Sequence, residues 1–347
     1  MSIMNLYDRK TITIAKALVI ASVVLGHILE AMLLDGNRSG FVSGSYNSIY
    51  LVHMPFYFIL SGWLFKGAQP KLKYLIKKSK HLLVPYAAWL IIFNIPAIAG
   101  FIFNLSQGNM VGEKLVFYQQ HFLSQLYGGM AVSGIQMILW FPMCLFFTQQ
   151  LANYILDKFE KHVTVITSIT ALFYTLAYVN QYFFPEFHLP LAINVVCGAL
   201  PLFLLGYYIK KYPIKMSFFW GLIVFCLVIC VSLFIYSYPL TYHMRGANYG
   251  IPIISILAAL GGFFTVLLIS NYLSRSKYVY SVSQPLGKAS MTIMYLHALI
   301  LVQIRTLDVY NVFWLLIAGI LIPTSIHLAM GRVSILSKLF LGEDKNE

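Results

Sequence analysis

Long apolar runs constrain this chain more than any other feature of its sequence. A bilayer core about 30 Å thick is crossed by about 20 mostly apolar helical residues. Ten segments of roughly this length follow one another here; 59% of all residues are hydrophobic and only 10% are charged. Soluble domains carry about 25% charged residues, so the composition excludes an ordinary soluble enzyme. The sequence therefore predicts an all-α, polytopic integral membrane protein.

The predicted spans fill the chain, so residues 1–347 are expected to form a single membrane-embedded domain with short loops. The loop 104–133 is the longest, and we expect it to be partly re-entrant or to cap a cavity. Residues 343–347 form a tail that we expect to fray. The ten predicted spans are 12–34, 48–65, 82–103, 134–156, 163–184, 191–209, 217–237, 250–272, 289–305 and 310–330.

The basic residues predict the orientation in the membrane, because loops rich in Lys and Arg stay in the cytoplasm. With both termini inside, 19 of the 24 Lys and Arg fall in inner segments and four fall in outer ones. The net charge of +13 is then explained by topology, and no nucleic acid partner is expected. The four cysteines lie in apolar runs without a Cys-x-x-Cys pair, so no metal site is expected either.

The first span contains three ionisable residues, which are costly in lipid and usually functional. Lys16 and His27 are 11 residues apart. That spacing is about three helical turns, so both lie on one face, about 16 Å apart. Glu30 follows His27 by three residues and is close enough to orient its imidazole. Each residue also has a structural interpretation, such as a lysine that snorkels or a histidine bonded to a neighbouring helix.

Two later spans contain histidines at similar depth. His53 opens the motif His53-Met54-Pro55, and neighbouring antiparallel helices can bring it into one cavity with His27. His297 lies in the middle of the ninth span, where it must face protein or water. The pair Ser61-Gly62 is most simply a close-packing feature, and Trp140-Phe141-Pro142 is most simply an interfacial aromatic motif that starts a helix.

The inner loop Lys66–His81 carries six lysines. One interpretation is an anchor for anionic membrane lipid. The other is an electrostatic seat for a phosphorylated ligand that enters from the cytosol. The two interpretations are compatible.

Together these segments resemble the integral-membrane acyltransferase 3 family, and within it the fucose 4-O-acetylase-like sugar O-acetyltransferases. Four blocks spread over the whole chain carry the resemblance, and Leu139-Trp140-Phe141 looks like a further family element. The blocks are Ile14-Ala15-Lys16-Ala17 to Val24-Leu25-Gly26-His27, His53-Met54-Pro55-Phe56 to Ser61-Gly62-Trp63, Lys78-Ser79-Lys80-His81 to Pro85-Tyr86, and Leu286-Gly287-Lys288-Ala289-Ser290 to Tyr295-Leu296-His297.

The resemblance implies an acyltransferase domain of ten helices in a bacterial inner membrane. It implies an acyl-CoA donor, usually acetyl-CoA, and a carbohydrate or glycolipid acceptor at the cell envelope. The family's pattern of a basic residue, ten intervening residues and a histidine falls on Lys16 and His27. Its basic element near the third helix falls on Lys78 and His81, and its late histidine element falls on Tyr295-Leu296-His297.

The expected mechanism follows from this assignment. His27 is the general base, Glu30 orients it, and His53 and His297 complete the catalytic set as donors to the oxyanion. Tyr295 and Ser61 are further candidate donors to the oxyanion, and the donor's phosphates are expected at the basic residues. These expected donor-binding residues are Lys16, Lys77, Lys78, Lys80, His81 and Ser61.

Two other functions share the span count and the polar cavity. A transporter or flippase for an envelope lipid or sugar would use carboxylates or broken helices near the midplane, for which Glu30 is the main candidate. A membrane haem protein would use His27 and His53 as axial ligands. A homodimer is left open.

Overall fold

The computed structural model describes residues 8–109, 111–212, 215–236, 240–307 and 311–343. Within these ranges the chain is predominantly helical and contains no strand, which confirms the all-α prediction. Of the predicted tail 343–347, only Glu343 is described. Residues 237 and 310, at the ends of two predicted spans, also lie outside the described residues.

Each predicted span coincides with one long helix, and three further helices lie between spans. The extra helices are α3, α5 and α11. The helices are α1 (Arg9–Leu34), α2 (Gly40–Trp63), α3 (Lys71–Lys78), α4 (Val84–Ser106), α5 (Glu113–Tyr127), α6 (Trp140–Phe159), α7 (Val163–Phe183), α8 (Val196–Lys211), α9 (Met216–Tyr236), α10 (Ile254–Leu273), α11 (Lys277–Lys288), α12 (Ser290–Arg305) and α13 (Val312–Met330).

Length and apolar character identify the helices that can cross a membrane. Eight helical segments of the described chain meet both conditions, and the pair α11 and α12, bent by 72°, makes a ninth. The chain is therefore a multi-pass membrane protein. Helix α2 is also long enough, with 24 residues, although it is not among these eight. Its neighbours shield it from lipid, since 14 of its residues are buried, mainly among α1, α8, α9 and α10.

The loop 104–133 folds back onto the bundle. Its helix α5 packs beside α4, where His121 Nε2 donates to the Asn94 Oδ1 atom at 2.8 Å. A short helical stretch, Gly134–Leu139, then leads into α6. This stretch belongs to the predicted fourth span, and it packs against α12 and α4.

Two glycines let α2 and α8 pack with their backbones in contact. A Cβ atom on Gly62 would lie 1.8 Å from the Phe203 carbonyl oxygen, and one on Gly206 would lie 2.0 Å from the Ile59 oxygen. No side chain fits at either position, and small residues at such crossings are how membrane helices maximise their packing. The packing interpretation of Ser61-Gly62 therefore holds for Gly62.

We expect Gly62→Ala to destabilise the bundle by about 1–3 kcal/mol, because the added methyl overpacks the α2–α8 contact. Gly221→Ala on α9 is the matched control, since a Cβ there meets nothing within 4 Å. Thermal unfolding in detergent can be followed with a thiol-reactive dye that reports exposure of the buried Cys144 and Cys226. Equal unfolding temperatures for the two variants would contradict this account of the crossing.

Candidate active site

A carboxylate and a histidine on α1 form the centre of the site. The His27 Nδ1 atom lies 2.8 Å from the Glu30 Oε2 atom. The Tyr50 hydroxyl, on α2, donates to the same oxygen at 2.9 Å. Because the carboxylate accepts from Nδ1, the Nε2 atom of a neutral His27 carries the lone pair. The geometry is that of a base whose positive charge, once protonated, is stabilised by a carboxylate.

His53 and His297 are held in a fixed tautomer by backbone carbonyls. His53 Nδ1 donates to the Ile49 oxygen at 2.8 Å, and His297 Nδ1 donates to the Ile293 oxygen at 2.9 Å. A carbonyl only accepts, so Nδ1 carries the proton and Nε2 carries the lone pair in each neutral ring. Neither neutral ring can then donate from Nε2 to an oxyanion, which was their expected role.

The three histidines line one cavity of about 50 Å³, which we call the histidine cavity. The ring centroids of His27 and His297 are 5.1 Å apart, and His53 packs edge-on against Tyr50 at 4.6 Å. The structure thus brings together the four residues that were predicted to be catalytic. The cavity is lined by Val23, His27, Glu30, Tyr50, His53, Met54, Met137, Ile138, Trp140, Phe141, Tyr242, His243, Met244, Arg245, Met294 and His297.

Residues 240–253, which precede α10, contribute two site residues that the sequence did not reveal. His243 stacks on Tyr50 with centroids 5.5 Å apart, and burial lowers the pKa of His243, which keeps its ring neutral. Arg245 donates to the Val132 carbonyl at 2.5 Å, while its buried Nε has no hydrogen-bond partner among the described residues. The prediction of spans places Arg245 in an outer loop, and a loop position does not indicate that the side chain lines a cavity.

This segment enters the bundle because its apolar side chains are buried. Tyr242, Met244 and Tyr249 are each at most 1% exposed. Ala247 adopts a φ of 52° and Ile253 a φ of 65°, a region that residues other than glycine rarely occupy. Such backbone strain persists only where the surrounding packing fixes it. The segment is therefore a fixed wall of the histidine cavity.

A second cavity, of about 320 Å³, lies at the lysine-rich end of α1, and we call it the basic cavity. Lys16, Lys66, Lys77 and Lys78 all line it, and none of its described lining residues is acidic. Lys16 has no hydrogen-bond or ion-pair partner among the described residues. Four ammonium groups around a cavity without a carboxylate make a seat for a multiply charged anion.

The structure brings four of the six predicted donor-binding residues to the basic cavity. Ser61 lines it and accepts from the Gln149 side chain at 2.8 Å. Lys80 and His81 are not among the residues that line it. His81 lies in a π-helical turn, Ser79–Leu83, and its Nδ1 donates to the Gly342 carbonyl instead. That contact ties the start of α4 to the C-terminal segment, which sequence spacing could not predict.

Phe141 lines both cavities and forms the wall between them. It is 2% exposed and packs against Tyr57 and Phe58, with centroids 5.8 and 5.4 Å away. Trp140 is also buried, at 8% exposed. Both rings therefore point into the bundle, unlike interfacial aromatic side chains that face lipid, whereas Pro142 lies in the first turn of α6, as predicted.

Comparison with known proteins gives one match over most of the chain. A family model described as an acyltransferase domain, of the acyltransferase 3 type, matches residues 9–330. Nodulation protein NolL of Mesorhizobium japonicum is 31% identical over 78 residues, which are 22% of this chain and 21% of that protein. This match spans about a fifth of the relative's length. No solved structure shows significant similarity to the chain.

We expect His297→Leu to leave the unfolding temperature unchanged or to raise it. The ring is fully buried, and its Nε2 has no partner among the described residues. Burying an unpaired polar atom costs about 1–3 kcal/mol, and an apolar replacement removes that cost. Ile293→Ala on the same helix is the control, since it leaves a cavity and should cost about 2–5 kcal/mol. A drop for His297→Leu as large as that for Ile293→Ala would show that Nε2 is satisfied.

Proposed function

The chain belongs to the acyltransferase 3 family, as its sequence blocks predict, and we propose that it transfers an acetyl group from acetyl-CoA to a hydroxyl of an envelope carbohydrate or glycolipid. A multi-pass membrane protein of an acyltransferase family is better explained by acyl transfer than by transport or haem binding. The observation that carries the proposal is the arrangement of the two cavities, one basic and one lined by histidines, which meet at Phe141.

The basic cavity is the proposed seat of the phosphates of the donor. In the orientation predicted from the charges, this cavity faces the cytosolic side of a bacterial inner membrane, where acyl-CoA is available. Lys16 lies on the same face of α1 as His27, about 16 Å away along the helix axis. A thin pantetheine arm can follow this face from Ser61 past Phe141. The thioester then reaches the histidine cavity.

His27 is the proposed general base. Its Nε2 takes the proton of the acceptor hydroxyl while the hydroxyl oxygen attacks the thioester carbonyl carbon. The new C–O bond forms, the C–S bond breaks, and the departing thiolate takes the proton from the His27 imidazolium. The products are an acetyl ester and the free thiol of CoA. Glu30 stabilises the positive charge of the transient His27 imidazolium. His53 and His297 are hydrogen-bonded to neutral backbone carbonyls, which would stabilise a positive charge on those rings less well.

Arg245 is the proposed donor to the oxyanion that develops on the carbonyl oxygen. It is the cation of the histidine cavity, and its Nε is buried without a hydrogen-bond partner among the described residues. A positive donor that is held in place by other hydrogen bonds, as Arg245 is by the Val132 carbonyl, is the usual source of such stabilisation. His53 and His297 then shape the cavity and accept hydrogen bonds from the acceptor.

The size of the histidine cavity supports a short acyl group. Its volume is about 50 Å³. One water molecule needs about 10–15 Å³ by the same measure, so the cavity has room for a few heavy atoms. An acetyl group fits this space.

Acetyl-CoA binding tests the donor seat. We expect Lys16→Met to weaken binding to the detergent-purified protein by about tenfold or more, since a charge-assisted contact is worth about 1.5–3 kcal/mol. Lys73→Met is the matched control: it removes an equal charge from the exposed face of α3 but does not line the cavity. Titration calorimetry gives both affinities. Equal weakening by both variants would indicate general surface attraction instead of a seat.

The role of His27 is tested by separating binding from turnover. We expect His27→Ala to lower the rate of acetyl transfer by about 10²–10⁴-fold, the usual contribution of a general base. Glu30→Gln should lower it by less, because Tyr50 still holds the side chain in place. Both variants should bind acetyl-CoA as the parent does. Transfer is measured as radiolabel moved from [¹⁴C]acetyl-CoA to cell-envelope material, and full activity of His27→Ala would remove the proposed base.

A further inference from the structure

A third cavity, of about 430 Å³, reaches His27 from the side away from the lysines. It lies between α1, α12 and α13, and we call it the α1–α12 cleft. His27, Glu30 and Met137 line this cleft and the histidine cavity alike. The two spaces therefore meet at the proposed base. The basic cavity and the cleft approach it from opposite ends of α1.

The cleft changes in polarity along its length. Its inner end carries His27 and Glu30, and its mouth carries Asp35 and Arg305, which form an ion pair. The wall between these two polar zones is mostly aliphatic, with Ile135, Leu301 and Val302 among its residues. A free sugar is strongly hydrated, and a wall of aliphatic side chains offers few partners for its hydroxyls. A ligand that is itself part apolar matches this wall.

Two exposed apolar side chains in the cleft wall mark a lateral opening. Leu34, at the end of α1, is 83% exposed, and Val302 on α12 is 49% exposed. Both side chains belong to the cleft wall and to the outer surface of the bundle. A membrane-bound molecule can enter between them without leaving the bilayer.

From these observations we propose that the α1–α12 cleft binds the acceptor, and that the acceptor is an amphiphile: a hydroxylated headgroup on an apolar chain. The headgroup lies between the Asp35–Arg305 pair and His27, and the chain leaves through the lateral opening past Val302. This inference rests on the proposed function and narrows its acceptor to a membrane-anchored glycolipid. The donor and the acceptor then meet at His27 without sharing an entrance.

The test supplies lipid and water-soluble acceptors separately. The purified protein is placed in nanodiscs made with the total lipid extract of the cells that express it natively, or in nanodiscs of phosphatidylcholine plus the water-soluble extract of the same cells. [¹⁴C]Acetyl-CoA is added to both, and the label is partitioned between organic and aqueous phases. We expect label in the organic phase of the native-lipid sample and little label in either phase of the other.

Two tryptophan variants assign that transfer to the cleft. Val302→Trp fills the lateral opening, whereas Leu321→Trp adds the same ring to a position on α13 that is 53% exposed and does not line the cleft. We expect Val302→Trp to slow transfer to lipid by about tenfold or more and Leu321→Trp to change it less than about twofold. Acetyl-CoA affinity should be unchanged in both, because the basic cavity lies at the other end of α1.

The possible results separate this inference from the proposed function. Label that appears only in the water-soluble acceptor would overturn the amphiphilic acceptor and leave acetyl transfer intact. Label in lipid that is insensitive to Val302→Trp would overturn the assignment to the cleft. A protein that binds acetyl-CoA but labels neither extract would overturn the proposed function, and the acceptor inference with it.

Discussion

A carboxylate inside an apolar bundle must be compensated, and the compensation of Glu30 organises the site. Its Oε2 atom accepts from His27 on the same helix and from Tyr50 on α2, so one oxygen joins two helices. Unpaired, such a charge in lipid costs several kcal/mol by some scales. The same bonds fix the tautomer of His27 and direct its lone pair away from Glu30. Because stability requires this network, the proposed base is positioned before any substrate binds.

The lysines and the Glu30 carboxylate lie near opposite ends of α1, and this separation affects how the donor can bind. Four lysines gather around the basic cavity, while the histidine cavity has a carboxylate and a guanidinium of its own. Phe141 forms the wall between them, so a phosphate held by the lysines stays away from Glu30 and His27. An anionic donor is thus attracted at one end, and only its uncharged thioester needs to pass the aromatic wall.

The features that the sequence predicts well are local ones. The helices follow from apolar runs, and Lys16 and His27 share a face because the helical period fixes it within one unbroken α1. His27 and His53 line one cavity because consecutive spans pack side by side. The positions of Arg245 and His243 depend instead on a loop that enters the bundle. Tyr50 could not be singled out, because a tyrosine in an apolar span is common. His81 was wrongly expected at the basic cavity. Its position beside the lysines suggests that site, but its imidazole donates to the Gly342 carbonyl in the C-terminal segment.

The bend between α11 and α12 explains how a helix of only 16 residues takes part in both the site and the cleft. At 1.5 Å per residue α12 is about 24 Å long, shorter than a bilayer core. The 72° bend lets α11 turn away at the basic end, so α12 begins inside the bundle with Ser290 at the basic cavity. Its middle then brings His297 against His27, and its last residue, Arg305, reaches the mouth of the cleft. One short helix therefore lines all three cavities, because the bend places its first residue at the basic cavity and its last residue at the mouth of the cleft.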